Sequence, residues 1–555
     1  MMNAATLGLI GIIAFTLAYR FYSRYIAHSI LGLDKEHGET PAVELRDNID
    51  YLPTKKNVLF GHHFSSIAGA APIVGPAVAA IWGWLPAFLW IIFGVIFMGA
   101  CHDFGVLYIS MKNKGNSIAY VAEDLLGKRV QTLFLIIIFF LVWMVIAVFA
   151  LVIANLFIKF PGAVLPVNFE IIIALVMGYF INKKGGSLTL PSILAQITLL
   201  IMIVIGTKYP ISLSEYFGTH ELMIWIIFLL IYSFIASVLP VWALLQPRDY
   251  INSHQLTVGL TLMILGLFIT RPEIVAPMTN FNAKGSPPWF PYLFITIACG
   301  AISGFHGLVS SGTTSKQVAK FSDARPIGYG SMLGEGLLAL LATLAVTAGF
   351  ASKADWHNHY ASWNAANGLS AKINAFVLGA GKFVAGLGIP EDISQTVIAV
   401  LIISFAATSL DTACRIQRYI IGEFGASLKI KPLQNKFVGS SIAVGSAFLL
   451  MLANEGGKGG LYLWPLFGAT NQMLAGLSLI LITVYLIKNK RNHLPFMIPA
   501  ALVILITSLG LSLNIKIYVD AKNWFLTSIG VILFISQIWV ITEAILGITK
   551  AREQG

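Results

Sequence analysis

The chain has 555 residues, of which 57% are hydrophobic and only 11% are charged. Because an ordinary soluble protein carries roughly 25% charged residues, this composition excludes a soluble globular class and indicates a protein that crosses a membrane many times. The formal net charge of +11 is spread over short loops between apolar runs. That distribution is typical of a cytoplasmic loop bias and excludes a basic nucleic-acid-binding face.

The first apolar run is followed, rather than preceded, by Arg20 and Arg24. A secretory leader carries its basic residues before the apolar run, so this one is predicted to be an uncleaved first span that starts outside the cell. Cys101, Cys299 and Cys414 all lie in apolar runs. We predict that they are small buried residues and form no disulfide framework.

Apolar runs of about 20 residues, the length needed to cross a bilayer, recur along the chain. The more polar stretch 352–392 is predicted to hold an amphipathic or re-entrant helix instead of a span. Most lysines and arginines fall in loops that share a side with the C-terminus, so the positive-inside rule predicts an outside N-terminus and a cytoplasmic C-terminus. The runs predict an all-α polytopic membrane protein with about fifteen transmembrane helices, at residues 4–23, 62–83, 85–111, 131–158, 166–182, 189–207, 222–245, 256–274, 290–312, 328–350, 393–414, 436–453, 461–487, 495–514 and 524–547.

The second span is predicted to be broken, because residues 61–76 hold three glycines, two prolines, two serines and two histidines. Glycine and proline weaken a helix and free backbone groups that hydrocarbon cannot satisfy. Such backbone is tolerated where it lines a cavity, and there it binds ions and small solutes. The candidate substrate-binding residues here are His63, Ser65, Ser66 and Gly69.

The seventh span is predicted to be broken as well, since it carries hydroxyls and Pro240 near its end. Two interrupted helices in corresponding positions of five-helix halves, running in opposite directions, are typical of an inverted-repeat transporter. The alternative is that Pro240 only kinks a packed helix. Residues 233–249 would then form the central site with residues 61–76, and the candidate substrate-binding residues here are Ser233, Ser237, Trp242 and Gln246.

The ninth span contributes a third polar cluster that includes His306. In a 5+5 repeat, a coupling cation lies between the first broken helix and the hydroxyls of this helix. Ser310, Ser311 and Thr313 are therefore candidate oxygen ligands, with Lys316 beyond them on the cytoplasmic side. The alternative is small-residue helix packing, with each hydroxyl bonded back to its own helix.

Ionisable residues inside predicted spans are further candidates for ion coupling: His102 and Asp103 in the third, Glu335 in the tenth and Asp411 in the eleventh. A charge near the bilayer centre costs at least ~2.5–3.5 kcal/mol, so each of these is suspected of a function. Carboxylates and histidines in such surroundings suit a proton-coupled step near neutral pH. The alternative for Asp411 is a structural pair with Arg415, one turn away.

The histidines also allow a transition-metal or haem site. His62 and His63 open the second span, His102 and His306 could join them, and Asp103 could add a ligand or an orienting partner. The spacing matches no metal motif, however. Adjacent residues of a helix point about 100° apart, so His62 and His63 could face one point only if the helix unwinds.

Several blocks of the sequence, from about residue 40 to 475, resemble the carbon starvation protein A (CstA) family. The resemblance implies a bacterial inner-membrane carrier that takes up pyruvate or peptides during nutrient limitation. It also implies the LeuT-like 5+5 inverted repeat of amino acid–polyamine–organocation transporters. The blocks are Thr40-Pro41-Ala42, Asp50-Tyr51-Leu52-Pro53-Thr54, Leu59-Phe60-Gly61-His62-His63-Phe64 through Gly75-Pro76, Gly99-Ala100-Cys101-His102-Asp103-Phe104, Leu239-Pro240-Val241-Trp242, Gln246-Pro247-Arg248-Asp249-Tyr250 and Trp464-Pro465-Leu466-Phe467-Gly468-Ala469-Thr470-Asn471-Gln472.

These observations predict a secondary active importer of small carboxylate nutrients, driven by a proton or sodium gradient. Half-helix N-termini favour carboxylates, and the chain has no Walker-type loop and no GxSxG or HExxH motif, so neither ATP-driven transport nor an enzyme is expected. The expected partners are the solute, H⁺ or Na⁺ and lipid, without nucleic acid or a required cofactor. The alternatives are a histidine-based metal- or haem-binding redox protein and a passive channel.

Four regions are predicted along the chain. They are the first helix and a cytoplasmic loop (1–60), the first five-helix repeat (61–207), the second five-helix repeat (222–420) and the C-terminal scaffold helices (421–555). The C-terminal region is the one that we expect to differ most from longer members of the family.

Overall fold

The structure is a computed structural model that describes residues 3–184, 189–366, 368–452 and 463–553. Within these ranges the chain is almost entirely helical, and its only β-type pairings are two isolated bridges, from Asn3 to Glu273 and from Thr54 to Val318. The main helices before residue 280 are α1 (Ala4–Ile30), α2 (Lys56–Ile67), α3 (Ala71–Trp82), α4 (Trp84–Lys112), α5 (Ile118–Leu126), α6 (Lys128–Lys159), α7 (Val164–Lys184), α8 (Thr189–Lys208), α9 (Ser214–Val238) and α10 (Leu245–Thr270).

The second part of the chain contains shorter helices near its start and long ones toward its end. The predicted polar stretch 352–392 folds as short helices. Of these, α16 (Leu369–Ala385) packs against α3, α10, α14 (Phe321–Ala348) and α17 (Glu391–Ser427). The main helices are α11 (Trp289–Thr296), α12 (Ala298–Ala301), α13 (Gly304–Gly312), α14 (Phe321–Ala348), α15 (Lys353–His359), α16 (Leu369–Ala385), α17 (Glu391–Ser427), α18 (Lys436–Leu452), α19 (Trp464–Lys488), α20 (Leu494–Asp520) and α21 (Trp524–Glu553).

The predicted all-α, multi-span class is confirmed. Within the described ranges, 12 helices are long and apolar enough to cross a bilayer, and the bent pair α2–α3 makes a thirteenth span. The predicted count of about fifteen is not confirmed. Two predicted spans account for the difference. Residues 290–312 are divided among three short helices, and residues 436–452 of the predicted span 436–453 form α18, with 17 described residues.

The predicted interruption of the second span is confirmed. Helix α2 ends at Ile67, Ala68 adopts φ −75° and ψ 59°, and α3 begins after a bend of 44°. Pro72 lies in the first turn of α3, where a missing N–H costs no helical hydrogen bond. Neighbouring side chains pack closely against Gly69 in the break, since a Cβ there would lie 2.8 Å from both Phe149 Cε2 and Ser409 Oγ.

The predicted interruption of the seventh span is wrong. Helix α9 ends at Val238 and α10 begins at Leu245, and each is long enough to cross the bilayer on its own. Pro240 therefore lies in a turn between two spans, because proline lacks the N–H that a continuing helix would need. Residues 245–255, which the sequence placed largely outside the spans, form the first turns of α10.

The second interruption lies instead in the ninth predicted span. Helix α11 ends at Thr296. The backbone is extended at Ile302 and Ser303, between α12 and α13. The two interrupted segments touch, because a Cβ on Gly75 of α3 would lie only 2.4 Å from the carbonyl oxygen of Thr296. Glycine at this position permits the close approach of the two backbones.

The interrupted segments lie inside the helix bundle. Helix α3 contacts α12 and α14, and α13 packs against α4 and α19. Helix α10 packs against α2, and α6 packs against α17, while α20 and α21 lie against α19. Cys101, Cys299 and Cys414 are buried and free, as the sequence predicts.

Candidate functional site

Four ionisable side chains meet between α4, α13 and α14, and we call them the histidine–carboxylate cluster: His102, Asp103, His306 and Glu335. Asp103 Oδ1 lies 2.7 Å from His102 Nδ1, and Asp103 Oδ2 lies 3.0 Å from His306 Nδ1. The other ring nitrogen of His306, Nε2, lies 3.1 Å from Glu335 Oε2. One imidazole therefore lies between two carboxylates that come from different helices.

This cluster is enclosed by protein, since the exposed fraction is at most 1% for each of its four residues. Gly307 allows α13 to approach α4, because a Cβ there would lie 3.0 Å from His102 Cε1. In the described part of the chain, the Nε2 atoms of His102 and His306 and both Glu335 carboxylate oxygens have no hydrogen-bond partner, although Glu335 Oε2 and His306 Nε2 lie close together. Buried polar atoms are nearly always partnered, and the free ones here leave capacity for a proton, an ion or a solute.

Four buried charged side chains and one half-buried tyrosine form what we call the arginine cluster: Glu170 of α7, Tyr232 of α9, Arg248 and Asp249 of α10, and Asp411 of α17. Arg248 Nη1 donates to Asp411 and, at 2.5 Å, to the Tyr232 hydroxyl, while its Nε lies 3.7 Å from Glu170 Oε1. Tyr232 in turn donates to Asp411 Oδ2 at 2.8 Å. The guanidinium is thus surrounded by acceptors, which a buried charge requires.

His62 and His63 of α2 extend from the break toward different partners. His62 Nδ1 contacts Asp249 of the arginine cluster, whereas His63 Nδ1 lies 2.8 Å from Thr314 Oγ1, beyond the end of α13. The Nε2 atoms of both histidines are buried without a hydrogen-bond partner among the described residues. Consecutive residues on a helix diverge by about 100°, which explains why the two rings do not face one point.

The predicted substrate-binding residues of the second span remain together at the break. Ser65 donates to the carbonyl oxygen of Asp249 at 3.0 Å, and the Ser66 carbonyl oxygen accepts from Ser409 of α17 at 3.2 Å. The Ser66 hydroxyl is buried and has no partner in the described structure. The freed backbone at the break is therefore next to a hydroxyl with unused hydrogen-bonding capacity.

The predicted substrate-binding residues of the seventh span separate from one another. Ser233 donates to Asp411 of the arginine cluster at 3.3 Å. Ser237 instead donates to a side chain of α18, and Gln246 donates to a side chain beyond the end of α13. Trp242 lies half-buried in the turn between α9 and α10. The four residues do not form one site.

The hydroxyls predicted to hold a coupling cation mostly face their own helix. Ser311 and Thr313 donate to backbone carbonyls one turn earlier, at 2.7 and 3.0 Å, as the packing alternative states. Ser310 Oγ is buried without a partner in the described chain. The Lys316 ammonium lies 5.4 and 5.2 Å from the ring centres of Tyr51 and Tyr419. Of the three hydroxyls, Ser310 alone has no hydrogen-bond partner in the described chain.

The metal alternative has no converging ligand set in the described structure. Across residues 3–184, 189–366, 368–452 and 463–553, no three His, Cys, Asp or Glu side chains are grouped so that they could hold a metal ion. The Nδ1 atoms of the four candidate histidines already contact protein groups. The metal or haem site therefore remains a prediction from residue type.

Sequence reasoning gave an individual role to only one member of the arginine cluster, Asp411. It missed Glu170 and Tyr232, and it included Arg248 and Asp249 only within the range 233–249. Glu170 lies inside the predicted fifth span, where the functional significance of intramembrane charges could have revealed it. Arg248 and Asp249 fall outside the predicted spans because the seventh predicted span ends at residue 245. The predicted alternative for Asp411 is also wrong, because this carboxylate pairs with Arg248, and Arg415 donates to backbone carbonyls of and after α9.

The sequence profile of the family described as carbon starvation protein CstA matches residues 3–358 and 351–510. The chain belongs to this family. It is 32% identical to the peptide transporter CstA of Campylobacter jejuni, over 92% of this chain and 80% of the relative, and 34% identical to the peptide transporter CstA of Bacillus subtilis, over 90% and 88%. It is also 34% identical to the pyruvate/proton symporter BtsT of Escherichia coli, over 90% and 80%. The predicted CstA family membership is confirmed, and the chain is a multi-pass membrane transport protein.

Two solved transporters align with most of this CstA-family chain. A manganese transporter from Eremococcus coleocola covers 91% of this chain and 99% of its own, with 12% identity and a TM-score of 0.48. MhsT in complex with L-phenylalanine covers 89% and 99%, with 12% identity and a TM-score of 0.46. At these identities and scores, membership of the family depends on the sequence comparisons.

Proposed function

We propose that this protein is a secondary active importer that takes up pyruvate or short peptides across the bacterial inner membrane, coupled to a proton gradient. The relatives named as peptide transporters and as a pyruvate/proton symporter support this substrate class. Pyruvate and peptides share a carboxylate. No enzymatic step is part of the proposal, and the coupling ion takes the place of a cofactor.

The observation that carries the proposal is the position of His306 between Asp103 and Glu335, at 3.0 and 3.1 Å. Histidine exchanges protons near neutral pH, and adding a proton changes the net charge of an enclosed cluster. The cluster adjoins α13, which begins directly after the second interruption. If one protonation state favours one arrangement of these helices, proton binding and solute binding become coupled.

The proposed solute site lies at the first interruption. Helix α3 begins at Ala71 with no side-chain cap, so the partial positive charge of its N-terminus favours an anion. The Ser66 hydroxyl, buried and unpartnered among the described residues, is placed to donate to the same group. A carboxylate bound here would also lie near Gly69.

The interrupted segments are proposed to be the equivalent first helices of two inverted halves. On this arrangement the first half begins at α2 and the second at α11, rather than at residues 61 and 222. We count the bent pair α2–α3, the segment α11–α13 and helix α18 as one crossing each, in addition to the 12 long helices. The chain then crosses the membrane an odd number of times. The termini then lie on opposite sides, with the N-terminus outside and the C-terminus in the cytoplasm, as the loop charges favour.

Purified protein in proteoliposomes tests this function. Labelled pyruvate and labelled dialanine are supplied separately under an imposed pH gradient, a sodium gradient or neither. We expect accumulation of at least one solute above its external concentration with the pH gradient, abolished by an uncoupler. Equilibration without accumulation would identify a channel, and accumulation with sodium alone would refute proton coupling.

A further inference from the structure

A cavity of about 350 Å³ opens between the outer part of α3, α11, α16, α19 and α20. It lies at the start of the segment α11–α13, whereas Lys316 follows the end of that segment. The start of the segment is external in the proposed orientation. The volume of the cavity is in the range of small-molecule binding sites. The residues that matter for what it binds are Val78, Thr296, Trp363, Lys372, Trp464 and Tyr518.

The cavity carries a buried positive charge. Lys372 of α16 is 3% exposed and its ammonium lies 5.2 Å from the ring centre of Trp464. None of the described residues that line the cavity is acidic, and in the described structure Lys372 has no carboxylate within ion-pair distance. Because burial of an unpaired charge is unfavourable, this ammonium is suited to an anionic ligand.

A hydroxyl group supplements this charge. Tyr518 of α20 is 7% exposed, and its hydroxyl is buried without a hydrogen-bond partner in the described chain. The neighbouring Tyr292 differs, since its hydroxyl donates to Asn514 at 2.8 Å. An ammonium and a free phenolic O–H in one cavity match the two oxygens of a carboxylate, and the indole rings of Trp363 and Trp464 offer apolar surface to the rest of the ligand.

The cavity adjoins both interrupted segments. Val78 belongs to α3, and Thr296 is the last residue of α11, directly before the second interruption. Gly75 and Thr296 also mark the contact between the two segments. A solute held in the cavity is therefore next to the helices that form the proposed central site, on the side from which an imported solute arrives.

We propose that this cavity is an outer binding site that captures the carboxylate of the transported solute through Lys372 and Tyr518 before the solute reaches the central site. The proposal depends on the proposed function, because it takes the transported carboxylate as the ligand. It adds two residues and a location that the central site does not contain.

The test compares transport from the two sides of the membrane. Right-side-out vesicles present the outer face, and inverted vesicles present the cytoplasmic face to labelled pyruvate or labelled dialanine. Lys372→Gln is expected to raise KM about tenfold in right-side-out vesicles, because a charge-assisted hydrogen bond is lost, and to leave KM in inverted vesicles unchanged. Tyr518→Phe is expected to raise the outer KM by about threefold.

Lys382→Gln is the matched control, because Lys382 is an exposed lysine on the same helix. Lys372→Arg, which keeps the charge, is expected to restore most of the outer KM. An unchanged outer KM in Lys372→Gln would overturn the outer site, and so would an equal rise on both faces. In either case wild-type accumulation of the solute would leave the proposed function intact, whereas a wild-type protein that accumulates neither solute would overturn both.

Discussion

The histidine–carboxylate cluster and the arginine cluster are both enclosed by protein, yet they differ in how completely their polar atoms are bonded. In the first, His102 Nε2 and both oxygens of Glu335 have no hydrogen-bond partner in the described structure. In the second, one oxygen each of Glu170 and Asp249 also lacks a partner in the described structure. Each carboxylate of the second nevertheless keeps at least one hydrogen bond, and the Arg248 guanidinium contacts Asp411, Tyr232 and Glu170. The first therefore contains a carboxylate with no hydrogen bond, and the second does not.

This difference separates two reasons for placing ionisable residues inside a membrane protein. A cluster in which each charged group has at least one bonded partner joins helices; here it ties α7, α9, α10 and α17 to each other. A cluster with unused polar atoms is able to bind and release a proton without breaking a helix contact. Burial alone does not distinguish the two, since the charged residues of both are almost fully buried.

The largest effect is expected for Arg248→Leu. Removing the guanidinium leaves Asp411 and Glu170 buried without their cation, and such a loss costs about 3–5 kcal/mol. We expect a strongly lowered Tm of the detergent-solubilised protein and little folded protein in the membrane. Arg20→Ala, which removes an exposed arginine, should leave the Tm near that of the wild type; equal Tm values for both variants would contradict a structural role of the arginine cluster.

The next effect is expected for Asp103→Asn. This change keeps the shape of the side chain and removes the charge beside His306, so it should lower uphill uptake by about 100-fold, the upper range for coupling between two ligands. Solute exchange and the Tm should change little. Asp124→Asn removes an exposed carboxylate and serves as the control. Uphill uptake at the wild-type rate in Asp103→Asn would remove Asp103 from the coupling step.

A third prediction extends the comparison to Lys372, another buried charge without a partner in the described structure. Burial lowers the pKa of Lys372 from 10.5 to about 7, so its ammonium is charged below that pH and neutral above it. Carboxylate binding to the outer site should therefore weaken about tenfold between pH 6 and pH 8.5.

Equilibrium binding of labelled pyruvate to solubilised protein, without any gradient, measures this dependence. The other titratable residues that line the cavity are Tyr292 and Tyr518, which stay neutral in this range. Lys372→Arg is the control, because an arginine stays charged at both pH values. The same pH dependence in wild type and Lys372→Arg would assign the effect to another group.

The smallest effect is expected from a pair of serines. Ser311→Ala removes a hydrogen bond to the Gly307 carbonyl and one accepted from the Ile118 amide, so it should lower stability by about 1 kcal/mol. Ser310→Ala should leave the Tm unchanged, because its hydroxyl is unpartnered in the described chain. Any change in sodium or pH dependence of uptake should then appear in Ser310→Ala; an unchanged profile in the double variant would exclude these hydroxyls from cation coupling.

The sequence predicts features that depend on local chemistry. Gly69 and Pro72 weaken the helix where they stand, and the break occurs between α2 and α3 at these residues. Pro240 is compatible with a kink or with a helix end, and the choice depends on how the neighbouring helices pack. The sequence predicts an unbroken span at the second interruption, because glycines and serines are equally common where membrane helices pack closely.

In the candidate site, too, the sequence predicts local features but not the contacts between distant residues. His102, Asp103, His306 and Glu335 were each predicted from residue type and position within a span. The contacts between these side chains could not be predicted, because Asp103 and His306 are 203 residues apart in sequence. The partner of Asp411 was predicted incorrectly for this reason, since the helical neighbour Arg415 is near in sequence and Arg248 is near in space.

The contact between Gly75 and Thr296 has a mechanical consequence. The two backbones touch at this point because residue 75 has no side chain, and a methyl group there would clash with the Thr296 carbonyl oxygen. Sliding one interrupted segment past the other would require that point to open. The pair is therefore expected to tilt as one rigid block during the transport cycle, with the surrounding helices supplying the opening on either face.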